Sequence, residues 1–133
     1  MKISIDFDGT CWSRMEFFRT LMKCFQAQGH KVGMLTGHSH DHAEKDIELM
    51  VKRGFPRPDF YFGRTPEYMH LNGAHYKSMI IKREGIDIHF DDYDYDNPET
   101  TKLFKELGSE EKVFKVVART PIKDERGHNI HYE

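Results

Sequence analysis

The sequence predicts an α/β protein in which a parallel β-sheet carries helices on both faces, giving three layers. Short apolar segments typical of buried strands alternate along the chain with longer segments whose apolar residues recur at helical spacing. The chain has 133 residues, of which 38% are hydrophobic and 32% charged, and this size and composition suit one globular domain. We place that domain at residues 1–118 and treat residues 119–133 as a C-terminal tail or loose hairpin.

The first strand organises the rest of the chain. Its apolar residues stand at every second position, and it runs into Asp6-Phe7-Asp8-Gly9-Thr10. Residues i and i+2 of a strand face the same side, so we expect Asp6 and Asp8 to lie together at the carboxyl end of this strand. Ligands bind at that end in open α/β sheets. Two carboxylates so close stay ionised only beside a cation, and Mg²⁺ is the simplest candidate.

The later segments continue the alternation of helix and strand. Ser13 to Glu16 has the pattern of a capping box, which predicts a helix that ends at Gly29. The remaining predictions are, in chain order, a strand over 32–36, a helix that starts at 41 and stops at 54, a strand over 59–62, a loop over 63–73, a helix over 74–84, a strand over 86–90, a helix opening at Asn97-Pro98, and a fifth strand over 113–117.

Polar side chains follow several of these strands at the same predicted edge of the sheet. Thr36 ends the second strand and Gly37 follows it, while Lys77 lies in the first turns of the third helix. Asp91 and Asp92 come directly after the fourth strand. A hydroxyl, an ammonium and two carboxylate pairs suit one task, which is to hold a phosphate beside a metal ion. A carboxylate can also act as a nucleophile and form an aspartyl-phosphate.

These residues, in this order and on these elements, resemble the haloacid dehalogenase (HAD) superfamily over about residues 1–117. The run from Asp6 to Thr10 is typical of its phosphatase members. The resemblance implies a Rossmann-like sheet with strand order 5-4-1-2-3. This family usually carries a cap domain after the first or the third strand. Cys11-Trp12 leads directly into a helix and 63–73 is too short for a folded cap, so we expect no sizeable cap domain and an open site.

The resemblance also implies roles for the acidic residues. Asp6 would be the nucleophile, and Asp8 would be the general acid and then the general base, with its backbone carbonyl reaching Mg²⁺. Asp6 and Asp91 would bind the metal directly, and Asp92 directly or through water. The sequence leaves open which acid complements Asp91, because several follow it, namely Asp92, Asp94 and Asp96.

The same resemblance places the phosphate. Thr36, Gly37 and Lys77 would bind the transferring phosphoryl group, and Lys77 would offset charge around the nucleophile. Side chains near the expected site mouth are candidate substrate contacts: His38, Arg14 and Trp12. We therefore expect a Mg²⁺-dependent phosphomonoester hydrolase, a phosphatase that acts on a small molecule or on a polymer end. A neighbouring subunit could close the open site.

Three alternatives stand beside the phosphatase. A phosphotransferase of the same family would pass the phosphoryl group to an acceptor other than water. A non-catalytic HAD-like module would bind a phosphate ligand or a protein, although such modules usually lack an essential acid and none is missing here. A signalling receiver domain also uses aspartates, a threonine and a lysine, but its acidic pair consists of adjacent residues, unlike Asp6 and Asp8.

Other features of the sequence narrow the class of protein. The net charge of −2 does not suggest nucleic-acid or membrane binding. No apolar run approaches the roughly 18 residues needed to cross a membrane, and the N-terminus lacks the pattern of a signal peptide. Two cysteines make no disulfide framework, so we expect a cytoplasmic protein. The run from Gly37 to His42 holds three histidines, which suggests a transition metal, but we interpret it as a polar loop and helix start.

Overall fold

The computed structural model describes residues 1–92, 110–116, 121–123 and 129–132, with positions 102 and 105. Five strands form its main sheet: β1 (Lys2–Ile5), β2 (Lys31–Ser39), β3 (Tyr61–Arg64), β4 (Ile88–Asp91) and β5 (Val113–Lys115). Three helices are described in full: α1 (Met15–Ala27), α2 (His40–Lys52) and α3 (Gly73–Arg83). The predicted helix at Asn97-Pro98 lies outside the described residues, apart from Lys102 and Lys105, which are helical.

The sheet is parallel throughout, which confirms the predicted α/β class. Its strands lie in the order β3-β2-β1-β4-β5, which is 5-4-1-2-3 when read from the opposite edge. Strand β1 is central, and its Ile3 pairs with Val32 of β2 on one side and with Ile88 of β4 on the other. Two further strands, β6 (Pro121–Lys123) and β7 (Asn129–Tyr132), pair antiparallel as a separate hairpin.

The hydrophobic core has two parts, one on each face of the sheet. Alternating residues of β1 and β2 pack with buried side chains of α1 and α2, among them Phe18, Met22 and Ile47. On the other face, Leu35 of β2 packs with Ile80 of α3. Because successive residues of a strand point to opposite faces, one alternating pattern supplies both layers and leaves Ser4 and Asp6 on the side of α3.

The N-terminus of α1 differs from the prediction. The helix begins at Met15, and Ser13 does not cap it. The Ser13 hydroxyl instead donates to the carbonyl oxygens of Gly9 and Thr10, the latter at 3.1 Å. A serine hydroxyl can donate to turn carbonyls as readily as it accepts from helix amides. The Ser13 hydroxyl therefore stabilises the turn that follows β1 instead of the start of α1.

Strands β2 and β3 both reach further than predicted. Strand β2 continues through Thr36, Gly37 and His38 to Ser39, and β3 lies at Tyr61–Arg64 rather than over 59–62. An irregularity in the pairing between Leu35 and Ser39 allows Ser39 to pair with Arg64. The Ser39 side chain then accepts from the amide of His42 at 3.2 Å and caps α2, which begins at His40, one residue before the predicted start.

Two of the connections at the carboxyl edge of the sheet, those after β1 and β3, are short. Residues 6–14 lead from β1 to α1, and 65–72 lead from β3 to α3, where Asn72 caps the helix. Neither connection is long enough for an inserted domain. Among the helices that the structure describes, none has the length and apolar character required to cross a membrane.

Gly33 gives a direct test of the packing between neighbouring strands. A Cβ atom at this position would collide with the backbone oxygen and the ring of Phe60. We expect Gly33→Ala to lower the free energy of unfolding by about 1–3 kcal/mol, because the buried backbone must shift. Gly73→Ala is the matched control, since a Cβ there meets no atom within 4 Å and should leave stability unchanged or slightly higher. Equal losses in urea unfolding would contradict this packing.

Candidate active site

An acidic cluster forms where β1 and β4 end on the face covered by α3. Ser4 of β1 lies opposite His89 of β4, and two residues further along the same face stand Asp6 and Asp91. The backbone amide of Asp6 donates to the carbonyl oxygen of Phe90 at 3.0 Å, which extends the pairing of the two strands by one residue. The register of the sheet therefore brings two buried carboxylates, 6% and 2% exposed, to one place.

Lys77 supplies the positive charge of this cluster. It lies on the first turns of α3, and its Nζ is 2.7 Å from Asp91 Oδ2 and 3.3 Å from Asp6 Oδ1. Burial alone would lower the pKa of Lys77. The negative charges of Asp6 and Asp91 raise it by a larger amount, so the pKa lies above its usual value. Lys77 is thus a permanent cation that bridges the two carboxylates.

His89 and Ser4 hold Asp91 in place from inside the sheet. His89 is fully buried, with Nε2 2.9 Å from Asp91 Oδ2 and Nδ1 2.7 Å from Ser4 Oγ. An ionised carboxylate only accepts, so Nε2 carries the proton and Nδ1 accepts from the serine hydroxyl. Burial lowers the pKa of His89, which keeps it neutral. Ser4 and His89 were not identified from the sequence. Each is a polar residue in a buried strand, two positions before Asp6 or Asp91, and this pattern could have indicated that they belong to the site.

Asp92 completes the cluster beside the turn that follows β1. Its Oδ1 accepts from the hydroxyl of Thr10 at 3.2 Å. Gly9 has φ +72, and a Cβ built on it would overlap the Asp92 carboxylate. Glycine is therefore required at this position both for the backbone conformation and for the close approach of Asp92. Asp94 and Asp96, the other acids considered, lie outside the described residues.

The three carboxylates could hold a divalent cation. One oxygen from each of Asp6, Asp91 and Asp92 lies within 4.8 Å of the others. Burial raises the pKa of Asp6 well above its usual range, and although Lys77 lowers it, Asp91 and Asp92 raise it further. Lys77 thus offsets only part of the repulsion among the three carboxylates. A hard cation bound by their oxygens would offset more of it. By this test the residues present fit Mg²⁺.

Asp8 does not share the surroundings of Asp6. Its side chain is 56% exposed, and Oδ2 is 2.8 Å from Nε2 of His38 at the end of β2. The hydrogen bond from His38 lowers the pKa of Asp8, and the same bond raises the pKa of His38. The regular strand ends at Ile5 and the chain turns at Phe7, so the i, i+2 rule does not extend to Asp8. The two aspartates therefore have different partners.

Of the predicted phosphate-binding residues, Lys77 belongs to this cluster, Gly37 packs beside it, and Thr36 precedes Gly37 in the chain. Thr36 is 1% exposed, and its Oγ1 accepts from the amide of His38 at 3.1 Å. Gly37 packs beside α3, since a Cβ there would be 3.8 Å from the Cα of Gly73 and 4.0 Å from the Cε of Lys77. Thr36, Gly37 and Lys77 thus belong to one corner of the fold.

Trp12 and Arg14, proposed as substrate contacts, have other neighbours. Trp12 packs against the core, stacked on Phe7 at a ring-centroid distance of 5.7 Å and beneath the guanidinium of Arg53 at 4.9 Å. Arg14 lines an apolar groove of about 750 Å³ with Phe114 and other side chains of α1 and β5. Trp12 thus contributes to the core, and Arg14 lies at the rim of this groove, while their role as substrate contacts stays a prediction.

Replacing Lys77 tests the electrostatic structure of the cluster without a substrate. In Lys77→Met the carboxylates of Asp6 and Asp91 stay buried without their cation, so we expect the free energy of unfolding to fall by about 3–5 kcal/mol in EDTA. Lys82→Met is the matched control on the same helix, because Lys82 is exposed and should change stability by less than about 0.5 kcal/mol. Similar effects of the two substitutions would mean that Lys77 does not neutralise the cluster.

Comparison of the chain with protein-family models, curated proteins and solved structures found no match. The function of the site has therefore to be argued from its own residues. These are a buried lysine between two carboxylates, a third carboxylate beside a glycine turn, and a more exposed aspartate paired with a histidine.

Proposed function

We propose that this protein is a Mg²⁺-dependent phosphomonoester hydrolase of the HAD type, without a sizeable cap, that acts in the cytoplasm through an aspartyl-phosphate on Asp6. One observation carries the proposal, namely that the Lys77 ammonium bridges Asp6 and Asp91 at the carboxyl ends of two parallel strands. A cation beside an acidic cluster at this edge of the sheet suits the binding of an anion together with a metal. Phosphoryl transfer depends mainly on such positioning and charge stabilisation.

Mg²⁺ would be held by Asp6, Asp91 and Asp92, whose oxygens already lie within 4.8 Å of one another. When bound, the ion would supply positive charge for the phosphoryl oxygens and lower the pKa of Asp6. His89 and Thr10 would orient two of these ligands through their hydrogen bonds to Asp91 and Asp92.

The phosphoryl group would be bound between β2 and α3. Thr36 would donate its hydroxyl proton to a phosphoryl oxygen, and the amides near Gly37 would lie within reach of another. Lys77 would contribute positive charge from α3, because its side chain packs near Gly37 and so reaches the same place. Lysine suits this role because its ammonium is a compact charge with three donors.

Asp6 and Asp8 would divide the chemistry between them. A carboxylate oxygen of Asp6 attacks phosphorus while the bond to the leaving oxygen breaks, and Asp8 gives that oxygen a proton. Asp8 then takes a proton from water, which attacks phosphorus and releases phosphate and free Asp6. His38 shares a proton with Asp8 across their 2.8 Å hydrogen bond, so the pair can deliver a proton and recover it.

The short connections after β1 and β3 favour an open entrance. Such a site suits phosphorylated polymer ends, or small phosphate esters if a second copy of the chain covers it. Transfer to an acceptor other than water would use the same intermediate, so a phosphotransferase remains the nearest alternative. A non-catalytic phosphate- or protein-binding module is less well supported, because it would not need Asp6 and Lys77 in contact.

Substitution of the nucleophile tests the covalent mechanism. We expect Asp6→Asn to fold normally and to lose nearly all release of phosphate from an aryl phosphate, because an amide cannot form the intermediate. Wild-type activity should also disappear in EDTA and return with Mg²⁺. Asp87→Asn is the control, since Asp87 is exposed and precedes β4 at the opposite edge of the sheet. Retained turnover in Asp6→Asn would exclude this mechanism.

Substitution of Asp8 separates the two half-reactions. In Asp8→Asn, an aryl phosphate with a good leaving group should still phosphorylate Asp6 and release a burst of phenolate, whereas release of phosphate should fall about 10²–10⁴-fold. An alkyl phosphate, whose leaving oxygen needs a proton, should give no burst. Stopped-flow absorbance and a phosphate assay measure the two products. Equal steady-state rates for wild type and Asp8→Asn would show that Asp8 is not the acid and base.

A further inference from the structure

A second cluster of metal-binding side chains lies on α2, beside the proposed active site. His42 and Asp46 stand four residues apart on one helix face, and His38 comes from the end of β2. One nitrogen of each imidazole and one oxygen of Asp46 lie within 4.8 Å of one another. The two imidazole rings are 4.2 Å apart between centroids. The proposed hydrolysis uses only His38 of these three residues.

Two buried atoms of this cluster have no hydrogen-bond partner among the described residues. These atoms are Nδ1 of His38 and Oδ2 of Asp46. Asp46 as a whole is only 9% exposed. An unsatisfied buried carboxylate oxygen is costly, and burial accordingly raises the pKa of Asp46. A bound cation would satisfy both atoms at once.

The separation of His42 and Asp46 fits shared metal coordination better than a hydrogen bond. His42 Nε2 and Asp46 Oδ2 are 3.6 Å apart, which is longer than the 2.7–3.2 Å of a good N–H···O bond. Two ligands at about 2.0–2.1 Å from a tetrahedral Zn²⁺ lie about 3.4 Å from each other. The pair therefore needs almost no rearrangement to accept such an ion.

The orientation of His38 agrees with this arrangement. Its Nε2 is 2.8 Å from the Asp8 carboxylate, which, being an acceptor, requires a proton on that nitrogen. In the neutral ring Nδ1 then carries a lone pair. Histidine ligands of metals characteristically donate their other N–H to a carboxylate, which fixes the tautomer, and Asp8 stands where that carboxylate is expected.

We propose that His38 Nδ1, His42 Nε2 and Asp46 Oδ2 form a site for a divalent transition metal such as Zn²⁺, with Asp8 as the supporting carboxylate. Three protein ligands leave the fourth tetrahedral position for water. The site is distinct from the acidic cluster, which offers only oxygen ligands and suits a hard cation. The two sites share no metal ligand, although His38 and Asp8 also take part in the proposed hydrolysis, so metal binding rather than phosphatase activity is the test of this proposal.

Titration with Co²⁺ tests the site directly. The full chain is titrated at slightly alkaline pH, where imidazole is neutral, with excess Mg²⁺ to fill the acidic cluster. We expect the visible absorption of tetrahedral Co²⁺ to appear at a stoichiometry of one per chain, and Zn²⁺ to displace it. His42→Ala and Asp46→Asn should weaken binding by at least about tenfold, since even supporting residues contribute that much.

Two control variants distinguish this site from others. His40→Ala removes a neighbouring histidine that contacts Glu44 at 3.4 Å and stacks on Tyr61, and it should bind Co²⁺ normally. Asp92→Asn alters the acidic cluster and should also bind Co²⁺ normally. Circular dichroism checks that each variant is folded. The proposal is overturned if the wild type gives no tetrahedral spectrum, if His40→Ala weakens binding as much as His42→Ala, or if Asp92→Asn abolishes it.

Discussion

The contact of the Lys77 ammonium with Asp6 and Asp91 is the interaction on which the candidate site depends. It joins α3 to the ends of β1 and β4, at distances of 3.3 and 2.7 Å. Without it, two carboxylates would face each other in a buried place, a situation in which one of them would take up a proton. Lys77 offsets part of this repulsion and fixes the geometry of the cluster, while burial, Asp91 and Asp92 still hold the pKa of Asp6 above its usual range, so that a metal ion bound there would lower it.

The pairing of β1 with β4 makes this contact possible. Ser4 lies opposite His89, so that a buried chain of hydrogen bonds runs from Ser4 through His89 to Asp91. A shift of one residue in this pairing would turn these side chains to the opposite face and separate Asp91 from Lys77. The acidic cluster is thus specified by strand register as much as by the identity of its residues.

Much of this arrangement could be predicted from the sequence, because strand ends and helix starts carry local signals. Alternation of apolar residues located β1, and it predicted that Asp6 ends a buried strand. The position of Asp8 could not be predicted, since the chain leaves the strand at Phe7 and long-range contact with His38 decides where the carboxylate goes. The prediction that Ser13 caps α1 was wrong for a related reason. A serine hydroxyl can hydrogen-bond to a turn or to a helix end equally well, and tertiary contacts decide which it does.

Whether Asp6 can carry a phosphoryl group is the central question, and it can be tested without knowing the substrate. Beryllium trifluoride binds carboxylates as a mimic of a phosphoryl group, so ¹⁹F NMR can report it on the folded protein. We predict bound signals that require Mg²⁺, disappear in Asp6→Asn and weaken in Lys77→Met. Absence of bound signals from the folded wild type, or signals that persist in Asp6→Asn, would contradict the assignment of Asp6 as the nucleophile.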